Sequence, residues 1–166
     1  MKEQKKFAFL FHFLKEILII VIVLFLINFF VLTLHRANEN NMFPHVKYGD
    51  LCILYKLEKC HVGDVVAYKI DGKTKLGRII ATEGQTIDFP ESGGFLINDS
   101  VASEEITYQT YKNKDANIQY PLTIKENSYF IMNDFRSDVE DSRTYGLIDA
   151  NSIKGKIVFI LRRRSF

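Results

Sequence analysis

The segment from Ile17 to Leu34 constrains this chain most, because Asn28 and Thr33 are its only polar residues. At 1.5 Å per residue its eighteen residues form a helix of about 27 Å, close to a bilayer core of about 30 Å. Counted from Phe7, such a helix reaches about 42 Å, enough to tilt or to enter the interface while Lys15 snorkels. The apolar stretch is longer than a removable signal sequence needs, and Leu34-His35-Arg36-Ala37-Asn38 offers no small-x-small cleavage pattern. A domain of this size cannot bury every face of so long a helix. The reading is therefore a retained anchor over residues 7–34 behind a cytoplasmic tail, residues 1–6, with the lipid bilayer as its partner. Lys2, Lys5, Lys6 and Lys15 stand on the N-terminal side, against Arg36 alone just past the anchor. That asymmetry predicts a cytoplasmic N-terminus and a single-pass, type II protein.

Residues 35–166 are then expected to form one extracytoplasmic domain, since 166 residues are too few for two domains and an anchor. The composition, 47% hydrophobic and 25% charged, is that of a folded chain. A net charge of +2 gives no reason to expect nucleic-acid binding. After Asn41 the apolar residues come in short runs: 51–55, 65–70, 75–81, 86–89, 95–97, 129–132 and 157–161. These are rich in Ile, Val, Tyr and Phe, and Gly, Asn and Asp separate them. Asp71-Gly72 between the second and third is a strong hairpin signal. The expected fold class is mainly β and antiparallel, on an N-terminal transmembrane helix. Glu104 to Asn117 is polar without clear periodicity and reads as a surface excursion. Cys52 and Cys60 leave two readings open, a disulfide outside the cytoplasm or two unconnected small hydrophobes. No His or Cys pair has ligand-like spacing beside them, so neither metal nor cofactor is predicted.

Three stretches carry a resemblance. Asn40-Asn41-Met42-Phe43-Pro44, followed by Tyr48-Gly49-Asp50, resembles a box that reads S-M-x-P and then G-D. Lys75-Leu76-Gly77-Arg78-Ile79-Ile80-Ala81 with Gly84 resembles K-R-I-I-G-x-x-G-D. Asn133-Asp134-Phe135-Arg136 and Asp141-Ser142-Arg143-Thr144-Tyr145-Gly146 resemble G-D-N-R followed by D-S-R-x-x-G. Gly63-Asp64-Val65-Val66 and Gly155-Lys156 match two further elements. In this order, over nearly all of the region past the anchor, they resemble the bacterial type I signal peptidases in their short, single-anchor form. The resemblance implies a signal-peptidase-like β domain outside the bacterial cell membrane.

The departures carry as much as the matches. The resemblance implies a serine nucleophile at position 41 and a lysine base at position 77, where this chain has Asn41 and Gly77. A serine hydroxyl needs a neutral amine about 3 Å away to take its proton. Asn41 offers only a carboxamide and Gly77 no side chain, so no catalytic residue is expected and the chain reads as an inactive homologue. Losing one member of such a unit costs about 10⁴- to 10⁶-fold in rate. The retained motif residues are Met42, Pro44, Gly49, Asp50, Arg78, Asp134, Arg136, Asp141, Ser142, Arg143 and Gly146. Among them Asp134, Arg136, Asp141 and Arg143 read as an ionic cluster bracing the third box. Lys75 reads as a solvated strand lysine, Ser142 as a turn or strand-end hydroxyl, and Arg162-Arg163-Arg164 as a solvated tail or a lipid-headgroup contact. Three functions follow. The first is an inactive homologue that binds signal peptides or an active signal peptidase. The second is a working endopeptidase with displaced residues, Ser142 and Lys75 the candidates. The third is a membrane-anchored structural or sensory module.

Overall fold

The computed structural model describes residues 2–103, 106 and 108–162, and only the backbone of residues 2–8 and Asn28. Helix α1 (Lys2–Phe30) opens the chain. From Phe9 to Ile27 no side chain is buried, and that stretch is long and apolar enough to cross a membrane. The helix ends at Phe30 and not at Leu34: Val31 alone separates it from strand β1 (Leu32–Arg36). Positions 32–34, assigned to the anchor from hydropathy, thus belong to a sheet. Pairing of Leu32 through Arg36 with residues 51–55 satisfies those of their peptide groups that face β2, and Val31 and Thr33 are β-branched. Hydropathy cannot separate these two fates of an apolar run. Lys56 closes the junction, its Nζ donating to the Phe29 carbonyl (2.9 Å) and its N–H to the Val31 carbonyl (3.0 Å). An ammonium is well placed there, at the negative end of the helix dipole.

The strands that follow are β2 (Leu51–Tyr55), β3 (Val65–Ile70), β4 (Lys73–Thr82), β5 (Thr86–Asp88), β6 (Leu96–Ile97), β7 (Ser100–Val101), β8 (Leu122–Thr123), β9 (Ser128–Met132), β10 (Ile148–Asp149) and β11 (Ile153–Leu161). A one-turn helix, α2 (Ser142–Tyr145), lies between β9 and β10. All pairing is antiparallel, in a larger sheet ordered β1-β2-β11-β3-β4-β9-β10 and a smaller one ordered β7-β6-β5-β8. The fold is mainly β, as the short apolar runs imply. Asp71 and Gly72 take φ of 48° and 78° at the β3–β4 hairpin, the doubly positive pair of a type I′ turn. Between residues 106 and 117 the described residues form neither strand nor helix.

Alternation along the strands builds the core. Cys52 and Leu54 turn inward and meet Ala37, Met42, Val46, Val65, Ala67 and Leu76. Val66, Tyr68, Ile79 and Ile131 face the other way, against Cys60, Tyr129 and Ile148. Ile80, Phe130 and Met132 join Ile87, Phe89, Phe95 and Ile124 between the two sheets. Cys52 and Cys60 sit in different clusters, buried and unbridged, so they act as small apolar side chains.

Arg162 departs from the expected basic tail. Its guanidinium meets the buried Asp50 carboxylate at 2.6–3.0 Å and donates to the His45 carbonyl at 3.0 Å. Arg163 and Arg164 lie outside the described residues. The Arg162 hydrogen bonds hold the Asp50 carboxyl below the usual aspartate range, outweighing the upward push of burial. A carboxyl so depressed stabilises the fold above its unfolded pKa, and that contribution is lost as pH falls through the folded value. Asp50→Asn is expected to cost about 1–2 kcal/mol at pH 7, kept modest by the water around Arg162. Denaturant titrations of the detergent-solubilised chain should find the deficit shrinking as pH falls below about 4. An equal deficit at pH 7 and pH 3 would contradict the assignment.

Candidate functional site

Asn41 lies just past β1, where Ala37 N–H donates to the Asp50 carbonyl and Gly49 N–H to the Ala37 carbonyl. Those bonds close the loop that carries the first motif. Asn41 is 5% exposed. Its Nδ2 donates to the Leu76 carbonyl (2.8 Å) and to Asn133 Oδ1 (2.9 Å), and its carbonyl accepts from Phe135 N–H (2.9 Å). One carboxamide thus ties the first motif to the second and the third. It can do so because one nitrogen carries two protons, where a serine hydroxyl carries one. Asn133 is held in turn, its N–H donating to Asp141 Oδ2 (2.9 Å) and its Nδ2 to the Asp138 carbonyl (3.2 Å). In the sequence, Asn41 departs from the serine of the first box and Asn133 from the glycine of the third, with nothing local to link them. The signal was present, since both boxes gain a carboxamide, but the residues stand 92 positions apart.

Gly77 sits on β4 opposite Val66, and its φ is not positive, so space and not conformation explains the glycine. A Cβ there would lie 2.4 Å from Ile131 Cγ2 and 3.1 Å from Tyr68 Cε1. Ile131 and Tyr68 therefore fill the volume that a side chain at position 77 would enter. Ile131 Cγ2 is bonded to the branch carbon and cannot swing away without a change of rotamer. Tyr68 is wholly buried, and its hydroxyl has no hydrogen-bond partner among the described residues. Burial, reinforced by Asp141, pushes its pKa up, so it is no proton acceptor at neutral pH.

Lys75 differs from the solvated lysine expected. Its side chain is 12% exposed, with Nζ 3.6 Å from Glu140 Oε2, 3.3 Å from the Glu140 carbonyl and 5.3 Å over the Tyr145 ring. Tyr145 donates its hydroxyl to Glu140. Burial alone would lower the Lys75 pKa, but the Tyr145 hydrogen bond and the Glu39 and Glu140 carboxylates outweigh it and hold it above the ordinary lysine value. A base must be neutral to take a proton, so Lys75 is poised the wrong way. Ser142, the first residue of α2, is fully buried, and its Oγ accepts from Ile131 N–H at 2.9 Å. Neither group is disposed as a nucleophile–base pair.

Among the described residues, two ion pairs involve the charged groups of the third motif. Asp134 takes Arg78 of β4 as partner, Nε and Nη2 reaching its two oxygens at 2.8 and 2.6 Å. Asp141 and Arg143 are both wholly buried and pair at 2.7–3.0 Å. Arg143 also donates to the carbonyls of Arg136 (2.8 Å), Asp138 (2.6 Å) and Tyr111 (3.2 Å). Arg136 donates to the Asn133 carbonyl (2.8 Å) and lies over the Phe95 ring. Gly146 ends α2 with φ of 78° and its N–H on the Ser142 carbonyl. Met42 lies wholly within the core. Pro44, with Arg78 and Asp134, lines a cavity of about 550 Å³.

A cleft of about 400 Å³ opens beside Asn41, between Ala37–Asn41 on one wall and Lys73–Leu76 on the other. The Asn41–Leu76 hydrogen bond joins the two walls at one end. Neither Asn41 nor Lys75 can serve here as nucleophile or base, and the cleft beside them stays open.

Comparison with known proteins places these features in a family. The profile of "Signal peptidase, peptidase S26" matches residues 10–162. The chain is 30% identical over 155 residues to an inactive signal peptidase IA of Staphylococcus aureus, covering 85% of this chain and 84% of that protein. It is 28% identical over 174 residues to a signal peptidase I of Bacillus licheniformis, covering 96% and 92%. A crystal structure of a signal peptidase I from Enterococcus faecalis superposes with a TM-score of 0.52 at 22% identity, covering 62% of this chain and 100% of that one.

If Ile131 fills the slot beside position 77, Gly77→Ala should destabilise the chain by about 1–3 kcal/mol through overpacking. Combined with Ile131→Ala, it should cost less than the two single substitutions together, because the removed methyl groups are those it strikes. Denaturant unfolding of the four proteins measures the coupling, and strict additivity would contradict the packing.

Proposed function

The chain belongs to the signal peptidase family, peptidase S26, and from that membership we propose a non-catalytic member whose cleft still holds peptides. The single observation that carries this reading is a groove that persists while both catalytic positions have been put to other use. Asn41 cross-links the cleft walls, and the space beside Gly77 is filled. The inactive peptidase of Staphylococcus aureus, 30% identical, supports the loss of catalysis. Peptides or an active peptidase are the partners that such a scaffold would keep. The type II orientation rests on the lysines at the N-terminal end of α1.

Reconstituted in lipid vesicles, the full chain should bind a fluorescent signal peptide saturably and leave a preprotein uncut. Asn41→Ser/Gly77→Lys should also be silent, because Ile131 occupies the space a lysine stem needs. Cleavage by the parent chain, with contaminating peptidase excluded, would overturn the loss of catalysis. Absence of saturable binding would overturn the peptide-holding role and favour a structural module. For orientation, an impermeant maleimide applied to intact cells should label Asp115→Cys and spare Lys5→Cys; the reverse pattern would invert the topology.

A further inference from the structure

Beyond the Asn41 bridge the cleft offers a free sheet edge. Strand β3 occupies one side of β4 from Lys73 to Arg78, whereas β9 pairs with the other side only from Arg78 onward. Peptide groups alternate in direction along an antiparallel strand. Because the Leu76 carbonyl turns toward Asn41, the peptide groups of Thr74 face the cleft as well. Such an edge accepts an added strand.

Side chains along this edge follow the period of two, so Lys73 and Lys75 share a face. Glu39, on the opposite wall, acts on Lys75 together with Glu140. Lys73 is exposed and makes no salt bridge with a described residue; its charge acts on Glu140, which already pairs with Lys75, so two ammonium groups share that carboxylate. The apolar residues of the lining are Ala37 and Leu76, and both are spent in the core at 2% and 4% exposure. Small apolar side chains entering here would meet filled space on one face and ammonium groups on the other.

We infer that the cleft selects an extended polypeptide segment with an acidic side chain opposite Lys73, over a segment of alternating small apolar residues. This rests on the peptide-holding reading and adds to it the class of segment held. A cross-strand pair of opposite charge favours such an added strand by an amount that binding can resolve.

The test uses the full chain in lipid nanodiscs and fluorescence anisotropy. The probes are a short peptide with alternating alanines and its variants carrying one Asp or one Lys at each alternate position. At least one Asp variant should bind about three- to five-fold tighter than the alanine peptide. Lys73→Glu should reverse that preference, so that Lys is favoured at the same position. Equal binding of all variants, or a preference untouched by Lys73→Glu, overturns the inference and leaves the peptide-holding reading standing. No saturable binding by any probe overturns both.

Discussion

A guanidinium cut off from water must find carbonyl and carboxylate oxygens for all its donors, and Arg143 does so. The Asp141 Oδ2 that takes Arg143 Nη2 also accepts from the backbone N–H of Asn133. Asn133 in turn presents its side-chain carbonyl to Asn41, and Asn41 reaches the Leu76 carbonyl on β4. One chain of hydrogen bonds thus runs from the buried charge pair, through the third motif, to strand β4 of the larger sheet. Each member is fixed because the one before it is fixed. Networks of this sort rigidify when every member is satisfied.

At the two positions where the resemblance implies a catalytic dyad, Asn41 and Gly77 are built into the structure. At position 41 a group with two donors has become a strut. At position 77 the loss of a side chain is matched by the ingress of Ile131 and the close approach of Tyr68. Interiors are close-packed, so a vacated lysine stem does not stay vacant. The cleft next to these positions is lined mostly by polar residues, so its opening leaves little apolar surface in water. That difference explains how a site can lack the means for catalysis while a cleft beside it stays open.

What the sequence made legible follows from what is local. Apolar length marks the anchor, and short β-branched runs and the Asp71-Gly72 turn mark the strands. The absence of serine and lysine at positions 41 and 77 can be read directly. Contacts between distant residues could not be read: Asn133 lies 92 positions from Asn41, and Arg162 lies 112 from Asp50. The switch from helix to strand after Phe30 was hidden because Leu32 and Leu34 suit a bilayer and a sheet alike. Lys75 was misread for a related reason, since a strand lysine reveals its exposure only when Glu140 and Tyr145, 65 or more residues away, are folded against it.

The joint between α1 and β1 sets how the domain meets its surroundings. A flexible tether would let the domain roam, but Val31 is locked between the Ile27 carbonyl and the Lys56 N–H, and makes a bracket instead. Five residues of β1 carry the chain about 17 Å at most from the end of the helix before the cleft begins. The cleft therefore patrols a thin layer at a set height, and what it meets is counted per unit area and not per unit volume.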